Sequence, residues 1–143
     1  MRGDLPHWLF PATFVVVCLC IWFGIAWRNT RKQQVRLLAR RPNPTKAEFT
    51  EQMLRNVSSA TTEFLWNTTA SYLEPKFTPH PDDDLDMNLW IDDGDWSMDW
   101  PRDFAERQGF CEKAYPDWPK DWPVTLRNFG RWLDMGLASK AQP

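Results

Sequence analysis

The feature of this sequence that most restricts its fold is a long apolar run near the amino terminus. From Trp8 to Trp27 the chain carries no charged residue. About 20 apolar residues in a helix cover the roughly 30 Å of a bilayer's hydrocarbon core, and tryptophans are enriched at both membrane interfaces. Residues 8–27 are therefore predicted to form a single transmembrane helix, which follows a short tail at residues 1–7.

Two other interpretations of this run fit less well. A secretory signal peptide has a shorter apolar core and a net positive start, whereas Arg2 is offset here by Asp4. A buried helix at the centre of a globular protein needs more surrounding chain than the remaining sequence provides. The run is thus interpreted as a membrane anchor.

A basic block follows the run and sets the predicted orientation. It contains no acid and six cations, Arg28, Arg31, Lys32, Arg36, Arg40 and Arg41. Because such flanks stay on the cytoplasmic side or its mitochondrial equivalent, the C-terminal region is predicted on the matrix side and the N-terminus on the intermembrane side. The helix is predicted to continue to about residue 41. The candidates for contact with lipid headgroups are Arg28, Arg31, Lys32 and Arg36. The favoured alternative is a stop-transfer flank without specificity for a lipid.

Residues 45–74 are predicted to form an amphipathic helix. The sequence Thr45-Lys46-Ala47-Glu48 matches a capping box, which opens helices. Apolar residues then recur every three or four positions and share one helix face: Phe49, Met53, Val57, Ala60 and Phe64. This face requires burial, either against the C-terminal helix or against another subunit.

Residues 75–100 are predicted to be acidic and extended. Between Glu74 and Glu112 the chain has twelve acids and three bases, a local net charge of −9. Repulsion between like charges extends such a segment unless a basic partner contacts it. Apolar residues alternate with the acids, so the segment is suited to lie on a basic protein surface.

Residues 101–143 form a Trp/Pro-rich region in which a short repeat predicts two helices. The tripeptide Asp-Trp-Pro occurs at residues 99–101, 117–119 and 121–123. Aspartate caps helix N-termini and proline suits the first turn. Helices are therefore predicted at about residues 102–108, closed by Gly109, and at about residues 124–137.

The sequence does not assemble the groups that catalysis or a cofactor would need. His7 and His80 are far apart, and the three cysteines lack metal-binding spacing. Asp84 and Asp86 begin a partial match to a calcium-binding loop, but Leu89 replaces its invariant glycine. The basic block is separate from the aromatic residues, which disfavours nucleic-acid binding. We predict no catalytic, cofactor or metal site, no nucleic-acid partner and no small-molecule substrate.

The predicted fold class is mainly α. It comprises the single N-terminal transmembrane helix, then amphipathic helices and extended Pro/Trp-rich segments without an independent globular core. Aliphatic residues outside residues 8–27 are sparse, so neighbouring polypeptides are expected to complete the fold. The candidate partner-binding residues are Trp100, Trp118, Trp122, Phe129, Trp132, Phe49, Met53 and Phe64.

These features predict a non-catalytic accessory subunit that bridges its neighbours in a large mitochondrial inner-membrane complex. The layout is similar to that of supernumerary subunits of respiratory complexes, the first choice, and of the ATP synthase. The alternative is a single-pass adaptor in another membrane, such as the endoplasmic reticulum or plasma membrane, whose cytoplasmic acidic-aromatic C-terminal region recruits a basic soluble partner. A third hypothesis, an enzyme acting through Asp92 and Asp95, lacks a recognisable pocket.

Overall fold

The computed structural model describes residues 9–73 and 76–140, and these residues are mainly helical. The predicted tail at residues 1–7 lies outside that range. Contacts within the chain divide it into two compact units, residues 1–40 and residues 41–143.

The first unit contains one helix, α1, Leu9–Leu38. Its apolar side chains between residues 14 and 25 are exposed, as are Arg28, Lys32 and Arg36 on the following turns. The side chain of Arg31 lies outside the described part of the helix. The helix ends shortly before residue 41, the predicted limit.

The structure of this unit does not support the predicted membrane-spanning helix at residues 8–27. Among the residues that the structure describes, no helix has both the length and the apolar character needed to cross a bilayer, so the predicted span is not supported.

The second unit begins with two helices where the sequence predicted one. They are α2, Lys46–Met53, and α3, Ser59–Tyr72. The predicted capping box is present, because Thr45 and Glu48 exchange side-chain and backbone hydrogen bonds. The helix is interrupted after Met53, since Ser58 adopts an extended conformation and its hydroxyl caps α3 by accepting from the Thr61 N–H.

Two further helices complete this unit. A π-helical turn, Asp95–Asp99, leads into α4, Trp100–Gln108, which ends at Gly109 in the left-handed conformation (φ 68°). The expected stop at Gly109 is therefore present, because glycine adopts positive φ without a steric penalty. A 3₁₀ turn, Glu112–Ala114, precedes α5, Leu126–Ser139.

The caps of α4 and α5 differ from those that the repeat predicted. Asp99 makes no capping hydrogen bond and forms an ion pair with Arg102 instead. Helix α5 is capped by Thr125, whose hydroxyl accepts from the Asn128 N–H, so the third Asp-Trp-Pro unit ends before the helix begins.

A closed apolar core lies inside the second unit, which corrects the prediction that no independent core exists. The buried side chains come from α2–α5 and from the acidic segment between them: Phe49, Met53, Phe64, Leu65, Phe77, Leu85, Leu89, Ile91, Trp100, Phe104, Leu126, Phe129 and Leu133. Burial stabilises a large apolar side chain by about 1.5–3 kcal/mol. Leu85, Leu89 and Ile91 therefore oppose the charge repulsion that predicted an extended segment.

Backbone contacts attach the acidic segment to the start of α5. The Leu85 N–H donates to the Val124 carbonyl at 2.9 Å, and the Leu126 N–H donates to the Asp83 carbonyl at 3.0 Å. An isolated antiparallel bridge joins Asp84 to Thr125 between them. The segment is thus part of the folded domain.

Candidate functional site

Residues 82–95, called the acidic loop below, contain seven carboxylates and no basic residue. Two arginines from outside the loop hold its first residues. Arg41 lies 2.7 Å from the buried Asp83 carboxylate, and its guanidinium stacks 4.8 Å from the centre of the Phe77 ring. Arg127 of α5 contacts Asp82 at 2.7 Å and also donates to the Gln52 carbonyl at 2.9 Å. The loop is therefore held by Arg41, at the start of the domain, and by Arg127, in its last helix.

The ionisable groups at this end of the loop have shifted pKa values. Burial raises the pKa of Asp83, although Arg41 and the His80 N–H act in the opposite direction. Burial lowers the pKa of His80, whose Nδ1 accepts a hydrogen bond from the Asp82 N–H. The hydrogen bond from Arg127 lowers the pKa of Asp82. The ion pairs of Arg41 with Asp83 and of Arg127 with Asp82 hold this end of the loop in place.

In the acidic loop Leu85, Leu89 and Ile91 are buried, whereas Met87 and several of the acids are exposed. Asp86, Asp92 and Asp93 are exposed, and the Asp84 carboxylate accepts hydrogen bonds from two backbone N–H groups of its own turn. Trp90 has a positive φ of 53°, which is uncommon for a bulky residue. Within residues 9–73 and 76–140, no group of three or more metal-ligating side chains has a geometry that would hold a cation.

An aromatic cluster packs around Phe129 of α5. The ring centroids of Trp132, Trp100, Trp96 and Trp118 lie 5.8, 6.0, 6.1 and 6.5 Å from that of Phe129. Edge and offset contacts of this kind add about 0.5–1.5 kcal/mol per pair beyond their area. The cluster stabilises the packing of α4 and the Asp-Trp-Pro repeats against α5.

The predicted partner-binding residues divide into two groups in the structure. Five are buried in the domain and have no surface to offer a partner in this conformation: Phe49, Met53, Phe64, Trp100 and Phe129. Trp118, Trp122 and Trp132 are half-buried and retain exposed ring surface. Binding of a partner by these three stays a prediction.

One exposed edge of the aromatic cluster forms an open groove of about 450 Å³. We call it the Tyr115 groove. Its apolar side chains are Met98, Pro101, Tyr115, Pro116 and Trp132, and its polar rim is Ser97, Arg102, Glu112 and Lys113. The Met98 side chain is 67% exposed.

The walls of the Tyr115 groove are held by internal contacts. The Tyr115 and Trp132 rings stack with their centroids 4.5 Å apart. The Tyr115 hydroxyl donates to the Pro101 carbonyl at 2.9 Å, and the Trp132 indole N–H donates to the Pro116 carbonyl at 2.8 Å. Burial, with a smaller contribution from Glu112, raises the pKa of Tyr115, so its hydroxyl stays protonated as this donor.

A glycine of α5 makes this arrangement possible. A Cβ atom at Gly136 would lie 2.3 Å from a Tyr115 ring carbon, closer than real Cβ contacts approach. The missing side chain therefore admits the Tyr115 ring against α5. Sequence reasoning missed Tyr115, Met98 and the two prolines, because they come from separate segments whose proximity depends on the tertiary fold.

A second groove of similar size is lined by α3, by α4 and by Asp99 of the π-helical turn. Its walls are mainly polar: Asn67, Thr68, Ser71, Tyr72, Asp99, Trp100, Arg102, Asp103 and Arg107. The residue Tyr72 is 47% exposed, and its ring packs edge-to-face with the Trp100 ring, with the ring centroids 5.6 Å apart. Its charged side chains are exposed and of both signs, so the groove has no net preference for an anion or a cation.

Comparison with known proteins adds no family: no protein-family model, curated protein or solved structure matches this chain.

Proposed function

We propose that residues 41–143 form a protein-interaction domain, and that the chain acts as a non-catalytic adaptor for a basic partner protein. The observation that carries this proposal is the Tyr115 groove, an exposed apolar surface on a domain of strongly negative charge. Residues 41–143 contain 18 acids and 11 bases, a net charge of −7. Exposed apolar surface bordered by charged residues is typical of protein interfaces.

The closed core favours the adaptor over an accessory subunit whose neighbours complete its fold. Phe49, Leu85 and Phe129 are fully buried within the domain, so no other polypeptide has to cover them. A domain with its own core can bind a partner reversibly through its surface. Membership of a mitochondrial inner-membrane complex stays a prediction.

The net negative charge of the domain indicates that its partner is basic. A net negative domain attracts basic surfaces over several ångströms and raises the rate of encounter, and salt weakens this effect. In the acidic loop, the exposed Asp86, Asp92 and Asp93 form no ion pair with another residue of the described chain. The negative charge of these three carboxylates can therefore attract a basic partner.

The test begins with the full-length protein captured from its native cells, with the co-purifying chains identified by mass spectrometry. The strongest of them is then purified and its affinity for the full-length protein is measured at two salt concentrations. We expect a basic partner whose affinity falls with salt. The triple variant Asp86→Lys, Asp92→Lys, Asp93→Lys should weaken binding by at least about tenfold.

The matched control reverses exposed acids on other parts of the domain, Glu51→Lys and Glu63→Lys. It should weaken binding by no more than about threefold. An acidic or neutral partner, a salt-independent affinity, or an equal loss in both charge-reversed variants would contradict the proposal.

A further inference from the structure

We propose that His80 is a pH-sensitive switch between the acidic loop and α5, and that protonation of its imidazole loosens the start of the loop from that helix. The switch consists of His80, Asp82 and Asp83 together with Arg41 and Arg127, and we call these five residues the His80 clasp. The clasp adds regulation to the proposed adaptor function. It rests on that function only for its consequence, because the loop carries the acids that attract the partner.

The charges of the His80 clasp are balanced when the imidazole is neutral. The charged groups that face it form two ion pairs, each at 2.7 Å: Arg41, from before α2, with Asp83, and Arg127, from α5, with Asp82. A proton on the half-buried imidazole therefore adds a third positive charge to two cations and two anions. Burial lowers the pKa of His80, while the carboxylates and guanidinium groups act on it in opposite directions.

The hydrogen bond at the imidazole also depends on the neutral form. The His80 Nδ1 accepts from the Asp82 N–H at 3.2 Å and lies 4.0 Å from the Asp82 carboxylate. A protonated Nδ1 is a donor and can no longer accept that bond. The Asp82 carboxylate is already held by Arg127 through two hydrogen bonds, at 2.7 and 3.1 Å. Protonated His80 therefore competes with Arg127 for Asp82.

Three backbone hydrogen bonds join the start of the loop to α5 beside these side chains. Their donors are the N–H groups of Leu85, Leu126 and Arg127, and their lengths are 2.9, 3.0 and 2.8 Å. Two of the acceptors are carbonyl groups of the turn at residues 80–83. Because a change in this turn displaces the acceptors, these three amides, called the junction amides below, report directly on the clasp.

The two carboxylates of the clasp titrate differently from the imidazole. Burial raises the pKa of Asp83, so its protonation favours the folded chain and opposes the effect of His80. The hydrogen bond from Arg127 lowers the pKa of Asp82, which therefore stays ionised well below the range in which histidine titrates. A variant that changes only the histidine separates its effect from that of Asp83.

Amide hydrogen exchange of the full-length protein, measured by NMR between pH 7.5 and pH 5.0 and corrected for the intrinsic rate, tests the clasp. We expect the protection of the junction amides to fall by at least about threefold on acidification, since the open state binds the proton more readily. The Ser58 N–H, which Asp134 accepts at 2.7 Å elsewhere on α5, is the internal control. Its protection should change by no more than about 1.5-fold.

Two histidine variants locate the response. His80→Asn keeps an acceptor for the backbone N–H two residues on, as in an Asx turn, but cannot be protonated. It should abolish the pH response of the junction amides. His7→Asn is the matched control, because it removes the other histidine of the chain and should keep the response. The imidazole signals that remain in His7→Asn belong to His80, and we expect them to titrate below the ordinary pKa of 6.5.

An equal loss of protection at Ser58, a response that persists in His80→Asn, or a response lost in His7→Asn would overturn the proposal. If His80→Asn fails to fold, the imidazole titration decides, and a pKa of His80 at or above 6.5 would overturn it. These results are distinguishable from failure of the adaptor function, because exchange is measured without a partner. If the junction amides open as expected while no basic partner is found, the clasp stands and the adaptor proposal does not.

Discussion

The carboxylate of Asp134 on α5 accepts hydrogen bonds from both the backbone N–H and the hydroxyl of Ser58, each at 2.7 Å. The Thr61 hydroxyl donates to the same carboxylate. One side chain of α5 thus satisfies the N-terminus of α3, 76 residues earlier in the sequence. This contact explains why the chain breaks between α2 and α3 instead of forming one helix.

Replacement of this carboxylate should destabilise the domain. Asp134→Ala leaves the partly buried donors of Ser58 and Thr61 without an acceptor, and hydrogen bonds to charged groups contribute about 1.5–3 kcal/mol. We expect the free energy of unfolding to fall by about 2–4 kcal/mol in urea titrations followed by far-UV circular dichroism. Asp93→Ala, at an exposed acid, should change it by less than about 0.5 kcal/mol. Similar effects in the two variants would show that the contact is unimportant.

Where the residues that cap a helix lie within one turn of its end, the sequence pattern predicts that end correctly. The capping box at Thr45 and the stop at Gly109 depend on residues within one turn, so their patterns were sufficient. The break at Ser58 depends on Asp134, which no local pattern indicates. The composition of the acidic loop predicts an extended segment because acids dominate it, whereas burial of Leu85, Leu89 and Ile91 holds the loop in the folded domain.

The candidate site was predictable only in part. Trp132 was singled out from the apolar face of the last helix, and the structure places it in the Tyr115 groove. Its neighbours Met98, Pro101 and Pro116 gave no signal of their own, because the groove exists only after α4 and α5 pack together. Phe49 and Trp100 were proposed for a partner, but in this domain the core buries them.

Insertion of a methyl group at Gly136 should separate the Tyr115 ring from α5. The new Cβ would overlap ring carbons at 2.3 and 2.4 Å, and overpacking of this kind costs about 1–3 kcal/mol. Gly136→Ala should therefore lower the urea midpoint of the second unit, although alanine favours helix. Gly24→Ala, where the Cβ would meet no atom within 4 Å, is the control and should leave that midpoint unchanged. An unchanged midpoint in Gly136→Ala would exclude close packing of Tyr115 on α5.

Loss of Arg41 should leave the buried Asp83 carboxylate without its counter-ion. Removal of one member of a buried ion pair typically costs about 3–5 kcal/mol, and we expect a loss of this order for Arg41→Met at pH 7. The loss should shrink as the pH falls, because protonated Asp83 needs no cation. The double variant Arg41→Met, Asp83→Leu should recover most of the stability. A pH-independent loss in Arg41→Met would argue against the ion pair as its cause.

Protonation of His80 should destabilise the folded domain. Burial lowers its pKa in the folded state below the ordinary value of 6.5, so the unfolded chain binds the proton more readily. Its contribution to stability is complete above pH 6.5 and is lost as the pH falls through the folded pKa. His80→Asn keeps an acceptor for the Asp82 N–H but cannot be charged. Chemical denaturation between pH 5 and pH 7.5 should show that the wild-type protein loses more stability on acidification than His80→Asn; parallel curves would refute this role.

The closed core of residues 41–143 is tested most directly by equilibrium unfolding of that fragment alone. We predict a monomer that unfolds in one cooperative transition, with the same midpoint by tryptophan fluorescence and by far-UV circular dichroism. A gradual transition, or two probes with different midpoints, would show that the aromatic cluster around Phe129 does not close without neighbouring polypeptides, and the proposal of a self-contained adaptor domain would have to be abandoned.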